Sequence, residues 1–524
     1  MTVMHLLPSH RLQLGLAGLL LFSIPASLIS QVPQGKIVYD KWCAGCHGDT
    51  GAGDGFGAKT MLPQPRDFTK GVYKIRTTAS GEIPTDDDLR HIIEVGMPGT
   101  AMPEWKSRLS DAEIGAVVQY IKSFSNFFKS TTGKAIAIGN APGGSGVEEG
   151  RKTFEKLECF KCHGQLGRGD GKSAPTLKDD YGHPIRAADL TESWKFRGGT
   201  DVPQIYARLR TGLDGTPMPS FTDAIENKLI TDEQLWRVAQ YVRSLSPEKA
   251  PEAREVVRAA LATKLPSTVE DGAWGQTERF WVPLVGQIID KPRWFAPTVD
   301  GVWVQALHDG KAIALKLTWD DPSRSPDASW DEWLGRLTKT MTDADGPLPT
   351  QQGADRMTVQ WSKTPTDESE RPYFLGGSTR RPMYVWRWTS EGGGRLEEGS
   401  EAGLGKFTPF AGSQVTQAAR FADGQWQLVL TRPLAPADTA QAPRFTTGYA
   451  IPVAFIAADG SNGEDDVRGS VSTWYAVYLD VPTPTRVFVA PLATIALSAG
   501  LGMLLVTRAQ RRERRVDSPH REEQ

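Results

Sequence analysis

An excess of charge of either sign is missing from this sequence. Its 60 Lys and Arg nearly balance 62 Asp and Glu, for a formal net charge of -2, so the chain lacks the electrostatic footprint of a nucleic-acid binder. Cysteine is scarce: four in 524 residues, grouped as two close pairs, a spacing that argues against a disulfide framework even in an exported chain. Long apolar runs are confined to the two ends. The length exceeds what one hydrophobic core serves, which predicts roughly two to four domains.

Near the N-terminus, Arg11 precedes "LQLGLAGLLLFSIPASLIS". This short apolar run ending in small residues reads as a secretory signal over residues 1–31, or as an N-terminal anchor if it is not cleaved. At the other end "VFVAPLATIALSAGLGMLLVT", Val487 to Thr507, has 21 residues and no charge. As a helix it would span roughly 31 Å, about the hydrocarbon thickness of a bilayer. Arg508, Arg511, Arg512, Arg514 and Arg515 follow, which predicts a cytoplasmic basic tail over 508–524 and places the bulk of the chain in the periplasm or otherwise outside the cytoplasmic membrane. A buried core helix would leave those arginines unexplained.

The cysteines fall as "CAGCH" (Cys43, Cys46, His47) and "CFKCH" (Cys159, Cys162, His163). Both are Cys-x-x-Cys-His, the c-type haem attachment pattern, in which one helical turn presents two thiols to the vinyl groups and the next imidazole to the iron. A zinc ribbon would use four thiolates and would need no histidine after each pair. The second motif lies 116 residues after the first, and the same offset carries "GAGDGFGA" (51–58) onto "GRGDGKSA" (167–174). A Gly-x-Gly-x-x-Ala nucleotide fingerprint is the weaker account of this segment, because it follows a haem motif and not a strand. A tight glycine loop beside the haem edge is the better one.

The offset also maps "GTAMPEW" onto "GTPMPSF", so that Met102 pairs with Met218 while Met97 pairs with Leu213. Each paired methionine lies 55 residues after its histidine, and each is followed by an amphipathic segment, "LSDAEIGAVVQYIKSF" or "ITDEQLWRVAQYVRSL". This layout resembles the class I cytochrome c domain, twice over, across residues 32–130 and 147–247. The resemblance implies His47 and Met102 as axial ligands of one haem c, and His163 and Met218 as those of a second. Met97 is assigned to packing, His91 to the surface or the packing of a helix, and His183 to a loop. "PRDFTKGVYKIR" and "AADLTESWKFR" recur with a six-residue slip, and their Arg76 and Arg197 are candidates to meet haem propionates.

Between the repeats, 131–146 is a glycine-rich linker, and 248–275 makes a second connection. Beyond it, helical period gives way to alternation in "GVWVQALH", "KAIALKLTW", "DRMTVQW", "PMYVWRW", "QWQLVLTR", "YAIPVAFIAA" and "STWYAVYLD", with Asp309-Gly310 as a hairpin signal. Twelve of the sixteen tryptophans fall between Trp274 and Trp474. The pattern predicts an all-β antiparallel sandwich over 276–482, behind two all-α domains and ahead of one transmembrane helix over 487–507.

These strands, with "ALHDGKAIALKLTWDD" and "PVAFIAADGSNGEDD", resemble the haem-binding domain of the ethylbenzene dehydrogenase and dimethylsulfide dehydrogenase γ subunits, relatives of which serve nitrate reductase and nitrite oxidoreductase. That family holds a haem b between a methionine and a lysine. The matching positions here are Gly376 and Gly469, with Arg468 beside the latter; Met357, Met383 and Lys406 are the substitutes within the domain. The resemblance implies two haem c, with haem b doubtful, and no catalytic residue in the chain itself. It implies as partners a molybdopterin catalytic subunit and an iron–sulfur subunit, with a quinone-linked complex, terminal oxidase or soluble cytochrome c as the next carrier. The alternative is a self-contained membrane-bound redox carrier or sensor whose sandwich binds haem b or a small ligand.

Overall fold

The computed structural model describes residues 31–341, 345–363, 371–481 and 486–516. The apolar N-terminal run and the end of the basic tail lie outside the described residues. The chain forms two compact units, one of residues 1–140 with 206–229, the other of 141–205 with 230–524.

In the first unit the helix Gln31–Trp42 packs on Asp111–Ser123. The second of these starts with a capping box: the Glu113 carboxylate accepts the Ser110 N–H at 2.9 Å, and Ser110 Oγ accepts the Glu113 N–H at 3.4 Å. Ile114, Val117, Val118 and Ile121 recur at three-to-four spacing and are buried with Val38 and Tyr39. The helices cross closely because Gly35 has no side chain; a Cβ there would lie 2.2 Å from the Ala116 carbonyl. The second unit repeats this arrangement. Helix Val147–Lys156 packs on Asp232–Ser244, which Thr231 and Gln234 cap in the same way, and Gly150 faces the Arg237 carbonyl.

The second unit continues into β1 (Val256–Leu261), β2 (Phe280–Pro283), β3 (Val285–Gly286), β4 (Gly301–His308), β5 (Ala312–Asp320), β6 (Arg356–Ser362), β7 (Met383–Thr389), β8 (Arg395–Glu401), β9 (Phe407–Pro409), β10 (Thr416–Ala422), β11 (Gln425–Pro433), β12 (Ala450–Ala458), β13 (Ser470–Val471) and β14 (Tyr475–Leu479). Among the described residues they make one sheet, ordered β10-β11-β5-β4-β1-β14-β12-β6-β7-β8-β9 along its main path. This refines the sequence-based expectation in two ways. The segment 248–275, expected as a linker, contributes β1, and β1 pairs in parallel with both β14 and β4. The expected two sheets are one, folded over so that its two halves share a core: Trp319 on β5 lies 5.9 Å from Trp388 on β7, although β5 and β7 are far apart in strand order. At the β4–β5 hairpin Gly310, at φ 83°, supplies the left-handed conformation the turn requires.

The second cytochrome-like repeat rests on this sheet domain through polar contacts within the unit. Arg168 donates to the Asp423 carbonyl at 2.8 Å and pairs with Asp320 at 3.4 Å, while Arg336 donates to the Thr176 carbonyl at 2.9 Å. His183, as expected, lies in a loop, its Nδ1 3.2 Å from Thr340 Oγ1. The last described element is the helix Arg486–Val516. Its apolar side chains are exposed, and among the described residues it is the one helix long and apolar enough to cross a membrane.

Candidate haem centres

Each Cys-x-x-Cys-His motif forms a single helical turn, Ala44–His47 or Phe160–His163, with all four cysteines as free thiols. The glycine loop folds directly over that turn. Gly53 N–H donates to the His47 carbonyl at 2.8 Å and Gly55 N–H to Cys46 at 3.1 Å; in the second repeat Gly169 donates to His163 at 2.8 Å and Gly171 to Cys162 at 3.2 Å. Gly53 and Gly169 have φ of 77° and 76° and press against the Pro65 and Ala187 carbonyls, where a Cβ would come within 2.8 Å or less. The loop therefore belongs to the histidine turn, as its position after the motif implied.

His47 Nδ1 lies 3.0 Å from the Arg66 carbonyl, and His163 Nδ1 lies 2.9 Å from that of Ala188. Such a bond puts the proton on Nδ1 and leaves the Nε2 lone pair for a metal. Burial lowers the pKa of both imidazoles, which favours the neutral, ligating form. Arg66 and Ala188 differ by 122 positions, 116 plus the six-residue slip. The extra residues form a small loop in which Lys178 bridges Pro184 and His183 accepts from Asp179, which is why His183 has no counterpart in the first repeat.

The methionine loops superpose bond for bond. Met97 N–H donates to the Met102 carbonyl at 3.0 Å, Thr100 Oγ1 donates to the Met97 carbonyl at 2.7 Å, and Met102 N–H donates to Thr100 Oγ1 at 3.1 Å. Leu213, Thr216 and Met218 make the same three bonds at 3.1, 2.7 and 3.2 Å. Position 97 thus works through its backbone, which any residue supplies. Thr100 and Thr216 fix the loop so that the next methionine is presented. His91 is exposed on the helix Asp86–Val95, as expected.

The surroundings fit a haem. Tyr73 Oη and Trp105 Nε1 are buried without a hydrogen-bond partner. Trp105 packs against Trp42, next to Cys43, at 5.3 Å, and Tyr73 stacks on Phe68, which in turn stacks on His47 at 4.4 Å. Donors left unpaired beside a buried histidine suit a group with acceptor oxygens, as the propionates are. In the second repeat Arg186, two residues before Ala188, turns instead to the sheet domain, its guanidinium 4.8 Å over the Trp333 ring. Burial pushes the Cys43 and Cys159 thiols up to about 12, so on their own both are held as neutral thiols. Arg76, expected at a propionate, is instead fully buried and donates to the Tyr73, Ala79 and Thr211 carbonyls.

In the sheet domain both positions of the expected haem b ligands are closed to a side chain. A Cβ on Gly376 would lie 2.7 Å from the Gly403 backbone, and one on Gly469 would lie 2.4 Å from the Ala457 carbonyl. Met357 and Met383 are wholly buried in the tryptophan-rich core, and Lys406 is exposed. A feature the sequence did not signal is a buried acidic cluster: Asp321, Asp355 and Asp459 each place a carboxylate oxygen within 4.8 Å of the others. These residues come from loops far apart in sequence, and no motif links them.

Residues 30–121 match the family described as cytochrome c oxidase, cbb3-type, subunit III, and residues 147–246 match the cytochrome c family. A Haloferax mediterranei protein named as the respiratory nitrate reductase haem subunit ORF7 is 28% identical over 251 residues, 48% of this chain and 82% of that protein. The cbb3-type cytochrome c oxidase subunit CcoP of Rhodobacter capsulatus is 27% identical over 40% of this chain, which spans only 61% of CcoP. A chain of the Kuenenia stuttgartiensis reducing HAO-like protein complex is 44% identical over 41% of this chain and 96% of its own length, with a TM-score of 0.39. The chain carries two cytochrome c domains, the kind of domain that holds haem c, followed by a large β-sheet domain and an apolar C-terminal helix.

Proposed function

We propose that this chain is the membrane-anchored dihaem cytochrome c subunit of a respiratory molybdenum oxidoreductase of the nitrate reductase or nitrite oxidoreductase kind, carrying electrons between its catalytic subunits and the respiratory chain. The observation that carries this reading is the duplicated pair of an Nδ1-bonded histidine in a Cys-x-x-Cys-His turn and a threonine-braced methionine loop. Cys43 and Cys46 hold one haem covalently, with His47 and Met102 as axial ligands. Cys159, Cys162, His163 and Met218 serve the second.

A haem held by these residues would supply one-electron chemistry, and a methionine sulfur as ligand would raise its potential relative to a second histidine. The chain's own residues set the conditions. The Arg66 and Ala188 carbonyls hold the imidazole planes, and Phe68 and Trp42 shield the first site from water. The crowding at Gly376 and Gly469 favours a sheet domain without haem b, whose role is then docking. Similarity to a nitrate reductase haem subunit supports a molybdopterin subunit and an iron–sulfur subunit as partners. The helix Arg486–Val516, whose C-terminal turns carry its arginines, supports anchoring with the tail in the cytoplasm and the rest outside it.

The test is purification of the full chain, tagged, from its native membrane in mild detergent. Recovery with molybdenum and iron–sulfur subunits is the expected result; recovery free of both contradicts the assignment.

A further inference from the structure

The 116-residue repeat is not kept at one position of the methionine loop. Where the first repeat has Pro98, the second has Asp214, and the structure gives that carboxylate a role. Asp214 accepts from Ser80 Oγ at 2.8 Å and from Gly81 N–H at 2.7 Å, and it pairs with the Arg76 guanidinium at 2.6 Å. Arg76 is 0% exposed and also donates to the Thr211 carbonyl at 2.9 Å, while Arg208 donates back to the Arg76 carbonyl. These contacts all lie within the first compact unit, which takes in residues 206–229 together with the first cytochrome domain. Thr211 and Asp214 flank Leu213, the residue whose N–H and carbonyl close the Met218 loop.

We infer that Arg76 and Asp214 are positioning residues for Met218, so that the first cytochrome domain holds the distal ligand loop of the second haem. This rests on the reading of Met218 as an iron ligand. Pro98, the matching position of the Met102 loop, has no carboxylate with which to form such a clasp. Opening the Met218 loop requires breaking an ion pair between a buried arginine and a half-buried aspartate, and removing the aspartate leaves the Arg76 charge buried without its carboxylate. The clasp therefore makes ligand exchange at the second centre depend on the integrity of the first domain.

The test uses the full-length ferric protein in detergent, with imidazole as the probe and stopped-flow absorbance as the readout. Imidazole enters only when a methionine leaves the iron, so binding shows two gated phases, assigned by Met102→Ala and Met218→Ala, each of which abolishes the gate at its own centre. In Arg76→Gln and in the near-isosteric Asp214→Asn, the phase assigned to Met218 accelerates by about tenfold or more, while the Met102 phase stays within about twofold. Equal acceleration of both phases, or no change in either, overturns the inference while leaving the ligand assignment intact. A Met218→Ala protein that keeps both gated phases overturns the ligand assignment and the inference together.

Discussion

Met97 and Met102 are joined through the main chain, the N–H of the first donating to the carbonyl of the second at 3.0 Å, and Leu213 and Met218 are joined in the same way at 3.1 Å. The two methionines of "EVGMPGTAMPEW" are therefore not equivalent. Position 97 enters the loop through its backbone, which the leucine of the second repeat supplies equally; Met102 is the methionine that both repeats keep. Met97→Leu, which copies the second repeat, should leave the sulfur-to-iron charge-transfer band intact, whereas Met102→Ala should remove the share of that band belonging to the first haem. Loss of the band in Met97→Leu would reverse the assignment.

Gly53 and Gly169 sit at positive φ against a carbonyl of the loop that holds the histidine. A side chain there meets both backbone strain and a clash. Gly53→Ala should destabilise the first cytochrome domain by roughly 2 kcal/mol or more, seen in chemical denaturation followed at the haem absorbance. Gly81→Ala is the control, because that glycine also has positive φ but nothing within 4 Å of its Cβ direction. The gap between the two variants isolates the steric part.

Burial and charge repulsion raise the carboxyls of Asp321, Asp355 and Glu464, in and beside the acidic cluster. Asp355 and Glu464 are pushed up to about 7, and Asp321 is pushed well above the usual range, with Asp459 as their neighbour and Arg186 as the nearby cation. A carboxyl whose pKa is higher in the folded state binds more protons folded than unfolded. The sheet domain should therefore lose stability as pH rises from about 4, the unfolded value, to about 7, by up to ~1.4 kcal/mol per pH unit for each such group. Calorimetry across that window checks the slope. The opposite slope would mean that a bound cation neutralises the cluster.

Truncation before Arg486 removes the exposed apolar helix and nothing of the sheet or the histidine turns. The shortened protein should move from the membrane fraction to the soluble fraction and keep its visible spectrum. Retention in the membrane after high-salt washing would point to another anchor.

Much of the local structure around the candidate ligands was legible in the sequence because it is local or repeated. The Cys-x-x-Cys-His turns, the Gly-Thr-x-Met-Pro loops and the capped helices each fit within a few residues, and the 116-residue offset singled out Met102. Even the six-residue slip has a structural counterpart, in the carbonyls of Arg66 and Ala188. What was hidden depends on contacts remote in sequence. Arg76 reaches Thr211 and Asp214, more than 130 residues away, so its burial could not be told from a propionate contact. The strand β1 is short and half-exposed, with Val256 and Leu261 at the surface, and its parallel partners, β4 and β14, come later in the chain. Whether the β segments form two sheets or one folded sheet is decided by β1 linking β4 to β14, which no alternation pattern encodes.

The central claim is a chain with two covalent haems and no third. Intact mass of the purified protein, paired with a pyridine haemochrome spectrum before and after acid–acetone extraction, tests it most directly. The account predicts the mass of the polypeptide plus two haem groups, a pure c-type spectrum, and no haem in the extract. A single covalent haem, or a b-type band that leaves with the solvent, would contradict it.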